Sequence, residues 1–529
     1  MTLDRTRLTA QAAEFQRWRC TLDDPPIEVD FAMSGLDQAR IDASEPGLRA
    51  ALAAMQALEA GATANADEQR MVGHYWLRAP GRAPRPEIGD EIGETLQRIE
   101  DFARRVHAGD LAPAGAKRFA KLLLIGIGGS ALGPMLAADA LGCAALSFHI
   151  LDNTDPDGID RVLAAVGSLH DALCVVVSKS GGTPETRNGM LEVMAACERQ
   201  GVGFAPRAIA VTTEGSTLHR RASAEQWLET FPIWDWVGGR TSITSAVGLL
   251  PMALLGADVR AFLAGAAAMD QATRSCEPAR NPAALMAAFW WHEGGGEGRR
   301  AMVVLPYKDR LLLLSRYLQQ LVMESLGKRL DRQGHVVEQG LSVYGNKGST
   351  DQHAYVQQLR DGRHDFFAVF VRVLRDREGP SASMVEDEPR GPTAGAYLDG
   401  FLLGTRAALY ENGRHSATLT LDRVDERSLG ALVALFERAV GIYGELIDVN
   451  AYHQPGVEAG KKAAQKVLDL AAQVQRAVTG DAKTSATIAA EADADPHLVW
   501  CILQHLAANP TSIRRIGAPD PATATFVRT

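Results

Sequence analysis

The sequence predicts an α/β protein whose strands form parallel sheets. Short apolar runs alternate with helical patterns from residue 115 to 290, and the alternation returns from residue 300 to 450. Such alternation is typical of a parallel sheet covered by helices on both faces, and ligands then bind at the carboxyl ends of the strands. The predicted strands are residues 121–125, 148–151, 173–177, 208–211, 301–305, 366–374 and 417–421.

The length of 529 residues is enough for two or more domains, and we predict four segments along the chain. Residues 1–112 are predicted to be a helical extension that wraps the core, without a chemical motif of its own. Residues 113–293 form a first α/β domain, which a glycine-rich linker joins to a second at residues 299–450. Residues 451–529 form a C-terminal helix and a tail. Helices are predicted at residues 49–60, 91–107, 309–326, 427–447 and 457–478.

The composition excludes several classes of protein. A formal net charge of −9 argues against nonspecific binding to nucleic acid or to an anionic membrane. The most apolar stretch, residues 246–257, contains Pro251 and is too short to span a bilayer, and no apolar signal segment opens the chain. The cysteines are far apart, which predicts neither a zinc site nor a disulfide framework. We therefore expect reduced thiols and a cytoplasmic location. The cysteines are Cys20, Cys143, Cys174, Cys197, Cys276 and Cys501.

The first predicted strand leads into a glycine-rich turn at residues 126–130. Backbone amides of Gly129 and the hydroxyl of Ser130 stand where a helix begins, and such a helix start binds anions. Two ligands fit this turn. A dinucleotide would use the pattern G-x-G-x-x-A that ends at Ala131, with Asp152 on a ribose, and a sugar monophosphate would need the helix start alone.

The third predicted strand ends in a second turn of the same design. Ser178, Lys179, Ser180 and Thr183 stand among glycines before Pro184, which suits the first position of a helix. A helix cap needs one hydroxyl, and this turn has three, so a phosphate is the better explanation. The lysine offset of a nucleoside triphosphate loop is missing. Two such turns at neighbouring strand ends favour one monophosphate over a dinucleotide.

Four further stretches carry residues that can do acid–base chemistry. Arg240 follows two glycines and would be costly to bury without a partner, which is either a structural carboxylate or a ligand anion. Gln320 and Glu324 are four apart on a predicted helix, where a carboxylate is a general base or a solvated charge. His353 follows a polar loop and is a proton-transfer group or a helix cap. Lys461 opens a helix after the turn at Gln454, and alone it reads as a solvated lysine.

Taken together, these motifs resemble the glucose-6-phosphate isomerase (phosphoglucose isomerase) family, and they follow the family's order along the chain. The stretches that carry the resemblance are residues 126–130, 178–183, 238–240, 323–328, 352–354 and 452–461.

The resemblance implies two sugar-isomerase (SIS-type) doubly wound α/β domains and a homodimer. It implies reversible isomerisation of glucose 6-phosphate to fructose 6-phosphate through a cis-enediol, in glycolysis and gluconeogenesis, without a metal or an organic cofactor. Glu324 would be the base, Arg240 would stabilise the enediolate, and His353 of the partner subunit would open the ring with Lys461 nearby. The residues implied to bind substrate are Gly129, Ser130, Ser178, Lys179, Ser180, Thr183, Gln320 and Gln454.

The chain departs from the family's usual pattern in three places, while every implied catalytic residue is present. Two glycines, Gly181 and Gly182, replace a more hydroxyl-rich loop, residues 346–351 replace a common glutamate-proline-glycine-threonine-asparagine-glycine loop, and Leu326 stands where asparagine is frequent. These departures concern substrate preference. Three alternatives stay open, namely an isomerase of another phosphosugar, a dinucleotide enzyme and a noncatalytic sugar-phosphate sensor.

Overall fold

The computed structural model describes residues 15–377 and 392–529 and divides the chain into two compact units, Met1–His453 and Gln454–Thr529. In the described residues the first unit contains a five-stranded sheet, a six-stranded sheet and a two-stranded antiparallel ribbon of Lys328–Leu330 and Val336–Gln339, and the second unit contains a small sheet of its own. No helix among residues 15–377 and 392–529 is long and apolar enough to cross a membrane.

The N-terminal part of the first unit contains a hairpin before its two long helices. Strands β1 and β2 pair antiparallel, and β2 also pairs antiparallel with the strand Ser416–Leu421. The prediction of a purely helical extension missed this hairpin, because its strands are only five residues long and are stabilised by pairing with a distant segment. The elements are β1 (Arg19–Asp23), β2 (Pro26–Asp30), α1 (Gln38–Glu59) and α2 (Pro86–Ala108).

The first sheet is five-stranded, entirely parallel, and ordered β4-β3-β5-β6-β7. Its central strands β3 and β5 are apolar and almost wholly buried, as strands covered on both faces must be. The four predicted strands are confirmed here, and β7 is additional. The elements are β3 (Lys121–Ile125), α3 (Gly129–Leu141), β4 (Ser147–Leu151), α4 (Pro156–Val166), β5 (Ala172–Val177), α5 (Pro184–Arg199), β6 (Ala208–Thr212), α6 (Thr217–Ala224) and β7 (Glu229–Pro232).

Three helices follow the first sheet, and the second sheet comes after them. This sheet is six-stranded and ordered β1-β2-β13-β12-β8-β11, with β13, β12, β8 and β11 parallel. The α/β class with parallel sheets is thereby confirmed. The elements are α7 (Ala246–Leu255), α8 (Val259–Thr273), α9 (Pro282–Gly294), β8 (Ala301–Pro306), α10 (Leu314–Leu318), β9 (Lys328–Leu330), β10 (Val336–Gln339), β11 (Val343–Tyr344), α11 (Val356–Asp361), β12 (Phe366–Val373), α12 (Ala394–Glu411), β13 (Ser416–Leu421) and α13 (Glu426–Leu446).

Helices α8 and α13 cross at a close distance that only glycine permits. A Cβ atom on Gly265 would lie 1.9 Å from the carbonyl oxygen of Arg427, and one on Gly430 would lie 2.0 Å from that of Phe262. Each helix therefore places its backbone directly against the other. This contact fastens the helices behind the first sheet to the last helix of the second sheet.

The predicted helix over residues 309–326 is not continuous. A short 3₁₀ turn, Asp309–Leu311, precedes α10, and a π-helical turn, Gln319–Glu324, follows it. A π turn widens the backbone by one residue and often occurs at functional sites. The hydrophobic pattern gave no sign of it, because the apolar spacing of one π turn differs little from that of an α turn.

The second unit combines helices with a small antiparallel sheet. Its antiparallel sheet is ordered β14-β16-β15, and its core includes Val474, Trp500 and Phe526. The predicted helix over residues 457–478 is confirmed here. The elements are α14 (Pro455–Ala477), β14 (Lys483–Thr484), α15 (Ser485–Ala492), α16 (Pro496–Ala508), β15 (Ile513–Ile516) and β16 (Thr525–Arg528).

Candidate active site

The two phosphate-loop candidates lie side by side at one edge of the first sheet. They follow β3 and β5, which are hydrogen-bonded neighbours, so both turns leave the sheet at the carboxyl ends of adjacent strands. Gly128 has φ +59°, which favours glycine. A Cβ on Gly129 would lie 2.1 Å from the carbonyl oxygen of Gly239, so the first turn directly contacts the glycines that precede Arg240.

The second turn is held by its own hydroxyl groups. The hydroxyls of Ser178 and Thr183 are 3.0 Å apart, the amide of Gly181 donates to Ser178 Oγ at 3.1 Å, and that of Gly182 donates to Ser180 Oγ at 3.3 Å. Thr183 stands at the N-cap of α5, but its side chain makes no capping hydrogen bond. The first amides of α5 are therefore not capped by Thr183, and such a helix start suits an anion.

Lys179 joins the second turn to the segment that leads to Arg240. Its Nζ donates to the carbonyl oxygens of Asp235 at 2.8 Å and Val237 at 2.9 Å. Burial lowers the pKa of Lys179 to about 8, and the charge of Arg70 lowers it further, while the carboxylates of Asp235 and Glu68 oppose the fall. Lys179 therefore changes charge close to neutral pH.

We expect kcat/KM for a sugar phosphate to fall as the pH rises through about 8, because the free enzyme then loses the Lys179 ammonium that attracts the phosphate. The Lys179→Met variant should have a lower kcat/KM and should lack this alkaline limb. The measurement is the pH profile of kcat/KM. Lys121→Met is the matched control, because Lys121 forms an ion pair with Asp171 at the other end of the sheet. An unchanged alkaline limb in the Lys179 variant would contradict the assignment.

Arg240 and Glu324 face each other in the candidate site. Arg240 Nη1 lies 3.4 Å from Glu324 Oε2, and the two side chains are 5% and 19% exposed. Neither of these two buried atoms has a hydrogen-bond partner in the described part of the chain. Buried polar atoms are rarely left so, which makes this pair a natural position for ligand oxygens.

The remaining contacts of Arg240 hold its guanidinium in place. Nη2 donates to the carbonyl oxygens of Ala451 at 2.8 Å and His453 at 3.4 Å. Burial lowers the pKa of Arg240, and the carboxylates of Glu324 and Glu68 oppose this. An arginine remains a cation under such conditions. The group is thus a fixed positive charge beside the carboxylate of Glu324.

The π turn brings Gln320 to the first glycine-rich turn and Glu324 to Arg240. A Cβ on Gly128 would lie 3.1 Å from Gln320 Nε2, so this amide reaches the first turn, while Glu324 faces Arg240. At the end of the turn, Lys328 Nζ donates to the carbonyl oxygen of Glu324 at 2.7 Å. Burial lowers the pKa of Lys328 to about 7, and the charge of Arg240 lowers it further, while Glu324 and Asp67 oppose the fall.

Sequence reasoning missed the segment between α1 and α2 that borders this site. Glu68 is close enough to influence the pKa values of both Lys179 and Arg240. Asn450 Nδ2 donates to Asn65 Oδ1 at 2.9 Å. This hydrogen bond joins the segment to residues 450–453, two of whose carbonyl oxygens accept from Arg240. Lys328 was missed as well, although it belongs to the same motif as Glu324. No local pattern signals the acidic segment, since its role depends on packing against distant residues.

His353, Gln454 and Lys461 are the remaining predicted site residues. His353 is exposed at the end of a 3₁₀ turn, Thr350–His353, and its ring has no hydrogen-bond or ion-pair partner among residues 15–377 and 392–529. Gln454 and Lys461 belong to the second unit. Lys461 lies in α14, and its side chain is outside the described part of the structure.

Tyr317, which shares the predicted helix with Glu324, faces a buried ion cluster instead of the site. Within this cluster Arg78 pairs with Asp270 at 2.6 Å and with Glu437 at 2.6 Å, and all three side chains are inaccessible. Burial and the charge of Glu437 raise the pKa of Tyr317, so its hydroxyl stays protonated. Helix α13, which carries Glu437, also contacts the π turn.

Comparison with known proteins identifies the family. The sequence profile described as phosphoglucose isomerase matches residues 41–386 and 402–488. The chain is 55% identical over 522 residues to the glucose-6-phosphate isomerase of Synechococcus elongatus, a match that covers 96% of this chain and 97% of the relative. The chain belongs to the phosphoglucose isomerase family.

Other members of the phosphoglucose isomerase family agree in sequence and in fold. The glucose-6-phosphate isomerase of Geobacter sp. strain M21 is 57% identical over 494 residues, which cover 91% of this chain and 92% of the relative. The crystal structure of a glucose-6-phosphate isomerase from Chlamydia trachomatis superposes with a TM-score of 0.78 at 26% identity, covering 87% of this chain and 91% of that one. The resemblance that the motifs indicated is therefore confirmed.

The phosphoglucose isomerase family accounts better for the first turn than a dinucleotide does. Asp152, which the dinucleotide alternative would place on a ribose, forms an ion pair with Arg316 at 3.5 Å. No group of three or more His, Cys, Asp or Glu side chains that could hold a metal ion occurs within the described ranges. The roles of the individual site residues remain predictions.

Proposed function

We propose that this protein interconverts glucose 6-phosphate and fructose 6-phosphate by moving a proton between C2 and C1 through a cis-enediol. Membership of the phosphoglucose isomerase family and relatives named glucose-6-phosphate isomerase at 55% and 57% identity support this reaction. The geometric observation that carries it is the buried pair of Arg240 and Glu324, whose facing atoms lack hydrogen-bond partners in the described residues. In the cell the reaction belongs to glycolysis and gluconeogenesis.

The phosphate is proposed to bind between the two glycine-rich turns. The uncapped start of α5 offers backbone amides, Gly129 is the first residue of α3, and the Lys179 ammonium adds a positive charge. Binding energy from a group remote from C1 and C2 then holds the reacting carbons against Glu324. The residues proposed to bind the phosphate are Gly129, Ser130, Ser178, Lys179, Ser180 and Thr183.

Glu324 is proposed as the base that removes the proton from C2 or C1 and returns it to the other carbon. A C–H group next to a carbonyl is a weak acid, so the negative charge that develops on the oxygens must be stabilised. The fixed guanidinium of Arg240 supports this assignment, since its Nη1 forms an ion pair with Glu324 at 3.4 Å and makes no hydrogen bond in the described residues. Gln320 lies between the first turn and Glu324 and can donate to a substrate hydroxyl.

Ring opening is proposed to use His353 of the partner subunit, with Lys461 nearby and Gln454 lining the site. A proton must move between the ring oxygen and the anomeric hydroxyl, which suits a histidine and a lysine. His353 is exposed, and its ring makes no hydrogen bond or ion pair within residues 15–377 and 392–529, which supports a role at another surface. We therefore propose a homodimer, located in the cytoplasm, whose two SIS-type domains span residues 113–293 and 299–450. No metal or organic cofactor is assigned a role.

The direct test is incubation of the protein with glucose 6-phosphate and detection of fructose 6-phosphate. We expect turnover without added metal or cofactor, and its absence at high enzyme concentration would overturn the proposal. A second candidate is an isomerase of another phosphosugar, favoured by Gly181, which has φ +71° and whose Cβ would lie 2.4 Å from the amide nitrogen of Leu218. This loop cannot acquire the usual hydroxyl there. A panel of aldose phosphates compared by kcat/KM separates the two candidates.

Mixing two inactive variants is expected to restore activity if His353 acts across a dimer. His353→Ala and Glu324→Gln homodimers each lack one group at both sites, whereas a mixed dimer has one intact site and one site that lacks both groups. We expect activity to reappear after the variants are mixed and allowed to exchange subunits. A mixture of two separately prepared Glu324→Gln samples is the control. No recovery, with mixed dimers demonstrated by mass spectrometry, would place His353 and Glu324 in the same chain's site.

A further inference from the structure

The loop that carries His353 contains a buried carboxylate. We call residues 345–355 the histidine loop; it connects β11 to α11. Asp351 is 2% exposed, whereas His353, two residues later, is exposed. A buried carboxylate is costly unless several donors satisfy it. The role of the Asp351 carboxylate can therefore be inferred from the groups that donate hydrogen bonds to it.

Three donors converge on the Asp351 carboxylate. Oδ2 accepts from the Tyr355 hydroxyl at 2.5 Å and from the backbone amide of Asn346 at 2.9 Å, and Oδ1 accepts from Asn346 Nδ2 at 3.2 Å. Asn346 stands near the beginning of the histidine loop and Tyr355 at its end. The carboxylate thus closes the loop across its base, and hydrogen bonds to a charged group are the strong kind.

The backbone of the loop is fixed on the same residue. The Asp351 amide donates to the carbonyl oxygen of Lys347 at 3.0 Å, and the amides of Ala354 and Tyr355 donate to the carbonyl oxygen of Asp351 at 3.1 and 3.0 Å. Residues on both sides of His353 are thereby held to Asp351. The imidazole itself contacts no polar group in the described chain, so its position depends on this backbone.

The outer part of the loop lies against a tyrosine ring. A Cβ on Gly348 would lie 2.2 Å from the ring of Tyr307, so only glycine fits there. Lys347 Nζ forms an ion pair with Asp309 at 2.9 Å. These contacts hold the histidine loop against Tyr307 and Asp309, and the loop residues that make them precede Asp351 in the chain. The carboxylate is the group that connects them to the turn that carries His353.

We propose that Asp351, with Tyr355, is a positioning residue that places His353 for opening of the sugar ring. This inference rests on the proposed function. Because displacement of a catalytic group by about 1 Å can cost 100-fold in rate, loss of the carboxylate should impair ring opening selectively.

The experiment compares ring opening with binding at the proton-transfer site. Anomerisation of glucose 6-phosphate, followed by NMR exchange spectroscopy, needs ring opening but no transfer of a carbon-bound proton. Binding of 5-phosphoarabinonate, an acyclic carboxylate that resembles the enediolate, needs the phosphate loops, Arg240 and Glu324 but no ring opening. We expect Asp351→Asn to slow anomerisation by about 10- to 100-fold and to bind the analogue as the parent does.

The controls separate positioning from general damage. Asp361→Asn changes an exposed aspartate of α11 in the same way and should alter neither readout. Tyr355→Phe removes one donor and should give a smaller loss of anomerisation, and the double variant should lose less than the product of the single losses, because both act through one contact. If Asp351→Asn lowers the melting temperature too far for assay, Tyr355→Phe alone decides.

Two results would overturn the inference. One is unchanged anomerisation in Asp351→Asn or, where that variant is unstable, in Tyr355→Phe. The other is an equal loss of anomerisation and analogue binding, which would mean that the loop supports the whole site. A parent protein that isomerises while these variants retain anomerisation refutes only the role of Asp351. A parent protein without isomerisation refutes the proposed function itself.

Discussion

Replacing Glu324 with glutamine should lower kcat for isomerisation by about 10²- to 10⁴-fold, the range of a lost general base. Glutamine has the shape of glutamate and keeps an oxygen that can face Arg240, but it cannot take up a proton from carbon. KM should change little, because the phosphate loops are untouched. Exchange of the C2 hydrogen with deuterium from solvent should disappear, and anomerisation of glucose 6-phosphate should persist.

The matched control for this variant is Glu297→Gln. Glu297 lies in an exposed turn, forms an ion pair with Arg299, and has a side chain that is 58% exposed. It should retain parental kcat, KM and hydrogen exchange. Retained exchange in Glu324→Gln would show that another group is the base. A loss of anomerisation as large as the loss of isomerisation would show that Glu324 also takes part in ring opening.

Replacing Arg240 with methionine should lower kcat by about 10²- to 10³-fold, the cost of removing a preorganised group that stabilises an oxyanion. The buried carboxylate of Glu324 would then lose the cation 3.4 Å away. The loss should appear in affinity for an anionic enediolate analogue, 5-phosphoarabinonate, far more than in affinity for a neutral alditol phosphate of similar length. Calorimetric titration with both ligands measures this difference.

Arg240→Lys serves as the second variant, because it keeps a positive charge and loses the geometry of the guanidinium. Lysine cannot reproduce the contacts with Ala451 and His453 and also reach Glu324. The kcat of Arg240→Lys should therefore lie between that of the parent and that of Arg240→Met. Melting temperatures of the parent and both variants show whether the fold is retained. Equal loss of affinity for the charged and the neutral ligand in Arg240→Met would argue that Arg240 only maintains the structure.

Much of the first sheet could be predicted from the sequence, because its strands are buried on both faces. The run from Lys121 to Ile125 was predicted with its observed bounds, and β5 differs by one residue. Continuous apolar segments followed by glycine and hydroxyl residues form a local signal that depends little on the rest of the chain. The hairpin β1–β2 was missed because it is stabilised by β13, almost the whole length of the first unit away.

The site residues likewise divide into those with a local sequence signal and those whose role depends on contacts with distant residues. Sequence motifs singled out Arg240 and Glu324 separately. A structural explanation was then as plausible as a functional one for Arg240 and more plausible for Glu324. The structure places them 3.4 Å apart and leaves their facing atoms without hydrogen bonds in the described part of the chain. Glu68 had no local signal, and Lys328 stood in a recognised motif without an assigned role, since the importance of both lies in the charges packed around them.

By itself the sequence determined the α/β class, the two glycine-rich turns and the family, because these depend on local burial patterns and on short motifs in a fixed order. Only the tertiary structure decided the pairing of Arg240 with Glu324, the π turn at Gln319–Glu324, and the closure of the histidine loop by Asp351. The first is a contact between segments that are distant in sequence, the second is a small change in backbone winding, and the third is a set of side-chain hydrogen bonds within one loop. Hydrophobic periodicity does not encode such contacts, because it reports which face of an element is buried and not what lies against it.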